Sequence, residues 1–422
     1  MRKLFFILLL TLTGATVFAH PLPSSVVRLS VLEANISGEA KMPLGELESA
    51  IKQDVITNIN TTYFKDYFTR HIQATSGKRG WKTEIVDMAI IMALDSTIGK
   101  YQQVMVHFRL IPQQAGDLRK FTFNDDAIIH EVVTHKILVY VTHDWNNGIH
   151  GDETAIGVGI IRINFSTMKI DPLVVNLEAG SAWKGFTSMF KLGMQHIKEG
   201  TDHLLFLLTL LLPAMLLVTH KRWGKFGGVK YSLINLTKIV TAFTIGHSLT
   251  LLLGATGILK VPGQPIEVLI ACSILVSAIH AIYPIFPKRE VFIAAGFGLI
   301  HGMAFAAVLV DLDLGFKAMA LSVLGFNLGI EAMQLIIIAL VIPWLILLSR
   351  TQWYSWFRIP GAALAGIAAI AWIVERTTGT ANQITALVEQ CAAQGLWLIA
   401  ALAMLSIIAV GVTKILSGKL NN

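Results

Sequence analysis

The sequence predicts a membrane all-α bundle of about seven transmembrane helices, preceded by a β-rich, sandwich-like exported domain. Three observations carry this. The 422 residues are 54% hydrophobic and 14% charged, with a mean hydropathy of +0.62, an apolar excess that lipid must solvate in a chain of this length. The excess is confined, because residues 20–180 hold ordinary mixed sequence whereas long apolar runs follow Gly185. The chain also opens like an export signal.

That opening is Arg2 and Lys3, the apolar run Leu4 to Leu12, and the small-residue site Val17-Phe18-Ala19, so residues 1–19 read as a signal peptide. An uncleaved anchor is the alternative, but the run is short for a hydrocarbon core of ~30 Å. Cleavage would leave His20 at the N-terminus, where its α-amine and imidazole could chelate one divalent ion. Residues 20–178 then form a periplasmic domain. Strands are expected where residues alternate or are β-branched, at Val26 to Val31, Lys82 to Leu94, Gln103 to Leu110, Ala127 to Val141 and Ala155 to Phe165. Helices are expected at Leu44 to Ile51 and Thr61 to Ala74, the second with Tyr63, Phe64, Tyr67, Phe68 and His71 on one stripe. Both cysteines, Cys272 and Cys391, lie later in the chain, so this domain must be held by a packed core rather than a disulfide. His130, His135, His143 and His150 crowd together here without a fixed metal-ligand spacing.

Residues 179–422 form the transmembrane domain. Apolar segments lie at about 196–219, 232–254, 265–286, 291–311, 318–342, 359–375 and 394–416, each near the ~20 residues needed to cross. Pro343 is expected to end or kink the fifth, and residues 182–195 to lie along the membrane surface. With the first domain outside, the cytoplasmic loops carry Lys221, Arg222, Lys225, Lys230, Lys288, Arg289, Arg350, Arg358, Lys414 and Lys419, against Lys260, Lys317 and Arg376 opposite. Ten basic residues against three obey the positive-inside rule and place the C-terminus in the cytoplasm of a bacterial inner membrane. The same rule accounts for the net charge of +7 without nucleic acid.

Ionisable groups inside hydrocarbon cost a few kcal/mol each and are kept for pairing, for lining a path, or for binding. The first segment carries His196, Glu199, Asp202 and His203, the second His247, the third His280, the fourth His301, and the fifth Asn327, Glu331 and Gln334 on one helical face. Spacings of three, four and seven return His196, Glu199 and His203 to one side, and Asp202 can ligate an ion or orient an imidazole. From the ~1.5 Å rise per residue, His203 and His247 lie roughly 10 Å deep, His301 and Asn327 roughly 15 Å, and His280 and Glu331 roughly 20 Å. Such a ladder suits a permeating cation, which several moderate sites pass along and one tight site would hold. Imidazole with carboxylate and amide oxygen suits nickel, cobalt, zinc or iron(II). Gly296, Gly298, Gly302, Gly325 and Gly329 flank these groups and permit close helix approach.

Four motifs, His196-x5-Asp202-His203-Leu-Leu-Phe-Leu-Leu, Thr241-Ala-Phe-Thr-x2-His247-Ser248-Leu-Thr, Phe297-Gly-Leu-Ile-His301-Gly and Phe326-Asn327-Leu-Gly-x-Glu331-x2-Gln334, together resemble the HupE/UreJ family of nickel and cobalt permeases, in the branch with a long exported domain. The resemblance implies metal uptake across the inner membrane, with His196, Asp202 and His203 among the ligands. Three positions depart from the family pattern: His280 where an acidic residue is more usual, and Met303 and Met333 in place of small residues. Thioethers favour softer ions such as copper(I), which widens the choice of metal.

The expected function is therefore transport of Ni2+ or Co2+, without catalysis or a permanently bound cofactor, with lipid and the ion as partners. Zn2+, Fe2+ and Cu+ stay open, and the sequence names no periplasmic or oligomeric partner. Two alternatives stand beside it. One is a membrane-embedded zinc hydrolase, in which His203, His247 and His301 hold the metal and Glu331 or Asp202 activates its water. The other is a metal-sensing or accessory protein whose spans serve as anchors.

Overall fold

Where apolar and polar residues alternate, the chain forms strands with one face buried, as in Ser25–Val31 and Ile36–Pro43. A computed structural model describes residues 23–56, 59, 61–95, 99–114, 118–255, 262–310 and 314–419. The export signal of residues 1–19 and His20 lie outside the described residues. The chain divides into two compact units, Met1–Asp144 with Ile149–Ala179, and Trp145–Gly148 with Gly180–Asn422.

The first unit is built on a seven-stranded sheet in the order Ile156–Ile161, Ile137–Asp144, Ser25–Val31, Ile36–Pro43, Gly99–Ile111 and Lys82–Asp95, with Ile149–His150 paired to Ile137–Asp144. Ser25–Val31 runs parallel to Ile137–Asp144 and antiparallel to Ile36–Pro43. A four-stranded sheet runs Leu173–Asn176, Lys120–Asp125, Ile72–Ser76 and Arg79–Gly80. One aromatic contact ties the two sheets: Phe108 stacks on Phe123 at 6.3 Å between ring centroids. Gly38 leaves room for it, since a Cβ there would fall 2.2 Å from the Phe108 ring. Helix α1 (Leu44–Ile51) occurs as expected, whereas α2 (Thr62–His71), which buries Phe64, Tyr67 and Phe68, stops short of the expected Ala74 because Ile72–Ser76 enters the four-stranded sheet.

The expected strand Ala127 to Val141 begins only at Ile137. Asp125 Oδ1 accepts the Ala127 N–H at 3.1 Å and starts a turn, which continues through His130 N–H to Asp126 O at 3.2 Å and Val132 N–H to Ile128 O at 2.9 Å. Three consecutive buried residues, Ala127, Ile128 and Ile129, fill the core from that turn. Of the crowded histidines three take partners of their own, while His150 sits opposite His143 with its ring nitrogens buried and unpartnered. His135 meets Ser25 Oγ at 2.7 Å, His143 meets Ser30 Oγ at 3.2 Å, and His130 stacks on His71, which holds Asp126 at 2.7 Å.

The second unit contains α3 (Ala182–Glu199), α4 (Thr201–Leu211), α5 (Val229–Ala255), α6 (Gly263–Ile282), α7 (Glu290–Val310), α8 (Phe316–Ser349), α9 (Tyr354–Thr378), α10 (Gln383–Ala393) and α11 (Gly395–Lys419). Among the described residues α5, α6, α8, α9 and α11 are long and apolar enough to cross a membrane, and α4 and the Glu290–Ala304 part of α7 are shorter apolar helices. The expected first span, 196–219, is not one helix. Gly200 adopts an extended conformation between α3 and α4, and beyond Pro213 the apolar residues Leu216–Thr219 pair with Arg222–Phe226 in a hairpin. His220 and Lys221 make its turn at positive φ. Helix α8 runs through Pro343 to Ser349 rather than ending there. Helix α3, expected along the membrane surface, packs its backbone against α8.

Glycine makes that approach, and a second one, feasible. A Cβ on Gly193 would lie 2.0 Å from Phe326 O, and one on Gly329 2.0 Å from Phe190 O, so α3 and α8 touch backbone to backbone. Gly246 against Ala295 O (2.1 Å), Gly298 against Phe243 O (2.1 Å) and Gly302 against His247 O (2.3 Å) do the same for α5 and α7. In hydrocarbon, where apolar burial gives no net drive between helices, such packing supplies much of the association.

Two outcomes are expected. Gly298→Ala should lower the melting temperature of the detergent-solubilised protein, by about 1–3 kcal/mol of overpacking, while Gly296→Ala, with nothing within 4 Å of its added Cβ, should leave it unchanged; equal effects would contradict the backbone contact. The Asp125 carboxyl is buried and pushed up to about 7 by desolvation, from a value of 3.8 in the open. Its folded form holds the proton more tightly, so the stability is complete below about pH 4 and is lost as pH rises through about 7, up to about 4 kcal/mol. Asp125→Asn keeps an acceptor for Ala127 and should slow hydrogen exchange across Lys120–Asp125 at pH 8 but not at pH 4, read by mass spectrometry.

Candidate metal site

The close pairs α5–α7 and α3–α8 bring polar faces together. His196 at the end of α3 and His203 in the first turn of α4 meet across the Gly200 break, with ring centroids 4.6 Å apart. A side chain at Gly200 would sit 2.6 Å from His196 O and 2.8 Å from His203 Nδ1, so the break depends on its absence. His247 on α5 completes a group in which one ligand atom from each of His196, His203 and His247 lies within 4.8 Å of the others. Three donors at ~2.1 Å from one ion are at most ~3.6 Å apart, so each would move by less than ~1 Å toward a common centre to share an ion. His301 on α7 approaches His203 with centroids 5.0 Å apart. His203, His247 and His301 are each no more than 6% exposed.

Hydrogen bonds fix which nitrogen of each ring is open. Asp202 Oδ1 accepts both the backbone N–H of His203 at 2.9 Å and its Nδ1–H at 3.0 Å, leaving a lone pair on Nε2, which is buried without a partner. Asn327 donates Nδ2–H to Val323 O at 2.7 Å, which turns its Oδ1 toward His247 to accept Nδ1–H at 3.1 Å; His247 Nε2 is again buried and unpartnered. Ser273 gives its proton to Ile270 O at 2.7 Å and therefore accepts from His301 Nε2–H at 3.0 Å. His301 Nδ1 is the third such atom. Three imidazoles thus each carry their proton on the side away from an open lone pair, the arrangement in which outer partners hold metal-binding histidines.

The other expected residues lie deeper or apart. Glu331, one helical turn beyond Asn327, accepts from Thr241 Oγ1 at 3.0 Å. Gln334 is buried near that level, with Oε1 unpartnered. His280 lies seven residues beyond Ser273 on α6, about 10 Å along the axis. There it stacks on Phe286 at 3.7 Å, and its Nδ1 accepts from Ile285 N–H at 3.2 Å. The structure therefore gathers His196, His203, His247 and His301 at one level, with Asn327 and Asp202 as orienting groups, where the sequence spacing spread them over two. Ser273 and Gly200 were missed by sequence reasoning. Ser273 left only a weak trace, a small hydroxyl four residues before Ser277 on α6.

The family model described as HupE / UreJ protein matches residues 173–376, the C-terminal part of the chain. No curated protein and no solved structure matches the chain. If the imidazoles hold a divalent ion, Asn327→Ala should weaken its binding by purified protein 10–100-fold by releasing the His247 ring, as read by titration calorimetry with nickel, cobalt and zinc, and unchanged affinity would remove Asn327 from the site.

Proposed function

We propose that this chain, whose residues 173–376 belong to the HupE/UreJ family of metal transporters, carries nickel or cobalt through its helix bundle, with His196, His203 and His247 as the entry ligands. The observation that carries this reading is the trio of converging imidazoles, with the open nitrogens of His203 and His247 buried in a domain that lipid surrounds. Neutral imidazole nitrogen suits nickel, cobalt or zinc, and no thiolate joins the site. The Thr241–Glu331 pair, one turn toward the far end of α8, offers oxygen donors for the next step. Moderate nitrogen sites followed by oxygen sites let an ion move on. The positive-inside rule supports a cytoplasmic C-terminus, and the family resemblance favours import as the direction.

One observation favours a second reading. Three imidazoles meeting at one point are also what a zinc hydrolase requires. Against it, Asp202 is engaged by His203, and Glu331 by Thr241 away from the trio, so neither carboxylate is disposed to activate a water there. The family is one of permeases.

In a host lacking its own carriers, His203→Ala and Asp202→Ala are expected to abolish accumulation of radioactive nickel while the protein still inserts. Normal uptake by both variants would end the permease reading. Removal of residues 24–176 behind an intact signal should weaken uptake at low metal concentration without eliminating it.

A further inference from the structure

At the end of the bundle opposite the imidazoles, an open cleft is lined by Leu216 and Trp223–Phe226 of the hairpin, Ser349–Gln352 after α8, and Tyr354, Ser355 and Arg358 in the first turns of α9. Among the described residues lining it none is acidic, and three are basic: Lys225, Arg350 and Arg358. The first turn of α9 adds the positive end of a helix dipole. A helix start and two exposed cations would not by themselves make a site. Arg358 supplies the independent observation. It is only 6% exposed, its Nη1 donates to the carbonyls of Ala281 and Ile282 at the end of α6, and its Nε is buried with no hydrogen-bond partner. Arg358 lines the cleft while its guanidinium is anchored through Nη1, and a buried donor left unpartnered on a charged group is costly unless a ligand drawn into the cleft satisfies that group. Arg350 is held over the Phe226 ring at 5.5 Å, which keeps its charge at the rim without a carboxylate partner.

We propose that this cleft binds a phosphate group, with Arg358 as the inner donor, Lys225 and Arg350 at the rim, and the first turn of α9 behind. Two sources share this chemistry, the phosphodiester of an anionic lipid headgroup and free inorganic phosphate. Basic pockets between transmembrane helices on the cytoplasmic side are recurrent headgroup sites, and the bilayer edge is close by, marked by Trp353 and Trp356.

The test uses the full chain purified in a neutral detergent at fixed ionic strength. Binding of short-chain phosphatidylglycerol, short-chain phosphatidylcholine and inorganic phosphate is followed by native mass spectrometry and by thermal shift. Saturable binding of phosphatidylglycerol alone assigns the site to lipid, and saturable binding of inorganic phosphate assigns it to the free ion. In either case Arg358→Gln, and separately the double variant Lys225→Gln with Arg350→Gln, should weaken that binding at least tenfold, whereas Arg358→Lys should retain part of it. Since Arg358 also caps α6, its loss could unfold the protein, and the double variant, which alters only the rim, then decides alone. Binding of neither ligand, equal binding of phosphatidylglycerol and phosphatidylcholine, or full affinity in the double variant overturns the proposal.

Discussion

Direct contact between helix backbones is the constraint on which the membrane unit depends. Gly246, Gly298 and Gly302 let α5 and α7 touch, and Gly193, Gly325 and Gly329 do the same for α3 and α8. Without these contacts the imidazoles of His247 and His301 would be separated by the width of an ordinary side-chain layer. The spacing that removes side chains also creates the polar interior. Of the histidines facing it, His203, His247 and His301 each pair one ring nitrogen with a neighbouring group and leave the other open.

The partners found are short and local, which explains the order of the site. Asp202 reaches its own neighbour His203, and Asn327 is locked by the carbonyl one turn before it. Ser273 is likewise committed to Ile270. Each orienting group is fixed by its own helix before it meets the ring it orients, so the ring inherits the rigidity of secondary structure rather than of a flexible side-chain network.

Much of this was legible in the sequence, for a physical reason. Lipid demands long apolar runs, so α5, α6, α9 and α11 could be bounded within about five residues, whereas α8 runs on past the expected end at 342 to Ser349. Ionisable groups inside such runs are conspicuous, so His203, His247, His301 and Asn327 were visible. What could not be read were features decided by tertiary fit. Leu216–Thr219 is as apolar as a span, yet it forms a hairpin because Pro213 and the turn at His220 and Lys221 reverse the chain. Depths reckoned along single helices placed His203 and His301 a turn apart, because the ruler assumed parallel rods and ignored the interruption at Gly200. In the first unit alternation revealed Ser25–Val31 and Gly99–Ile111, whereas short strands such as Leu173–Asn176 acquire their identity only from their neighbours.

The protonation pattern of the three rings bears on charge movement. With hydrogen already on the nitrogen that faces Asp202, Asn327 or Ser273, an arriving divalent cation finds empty lone pairs and displaces nothing. On the transport reading proposed above, Asp202 offsets one of the ion's two charges at the level of the imidazoles, and Glu331 lies one turn further on. On that reading, any charge left unbalanced as the ion crosses would feel the membrane voltage, about 2.3 kcal/mol per elementary charge for each 100 mV.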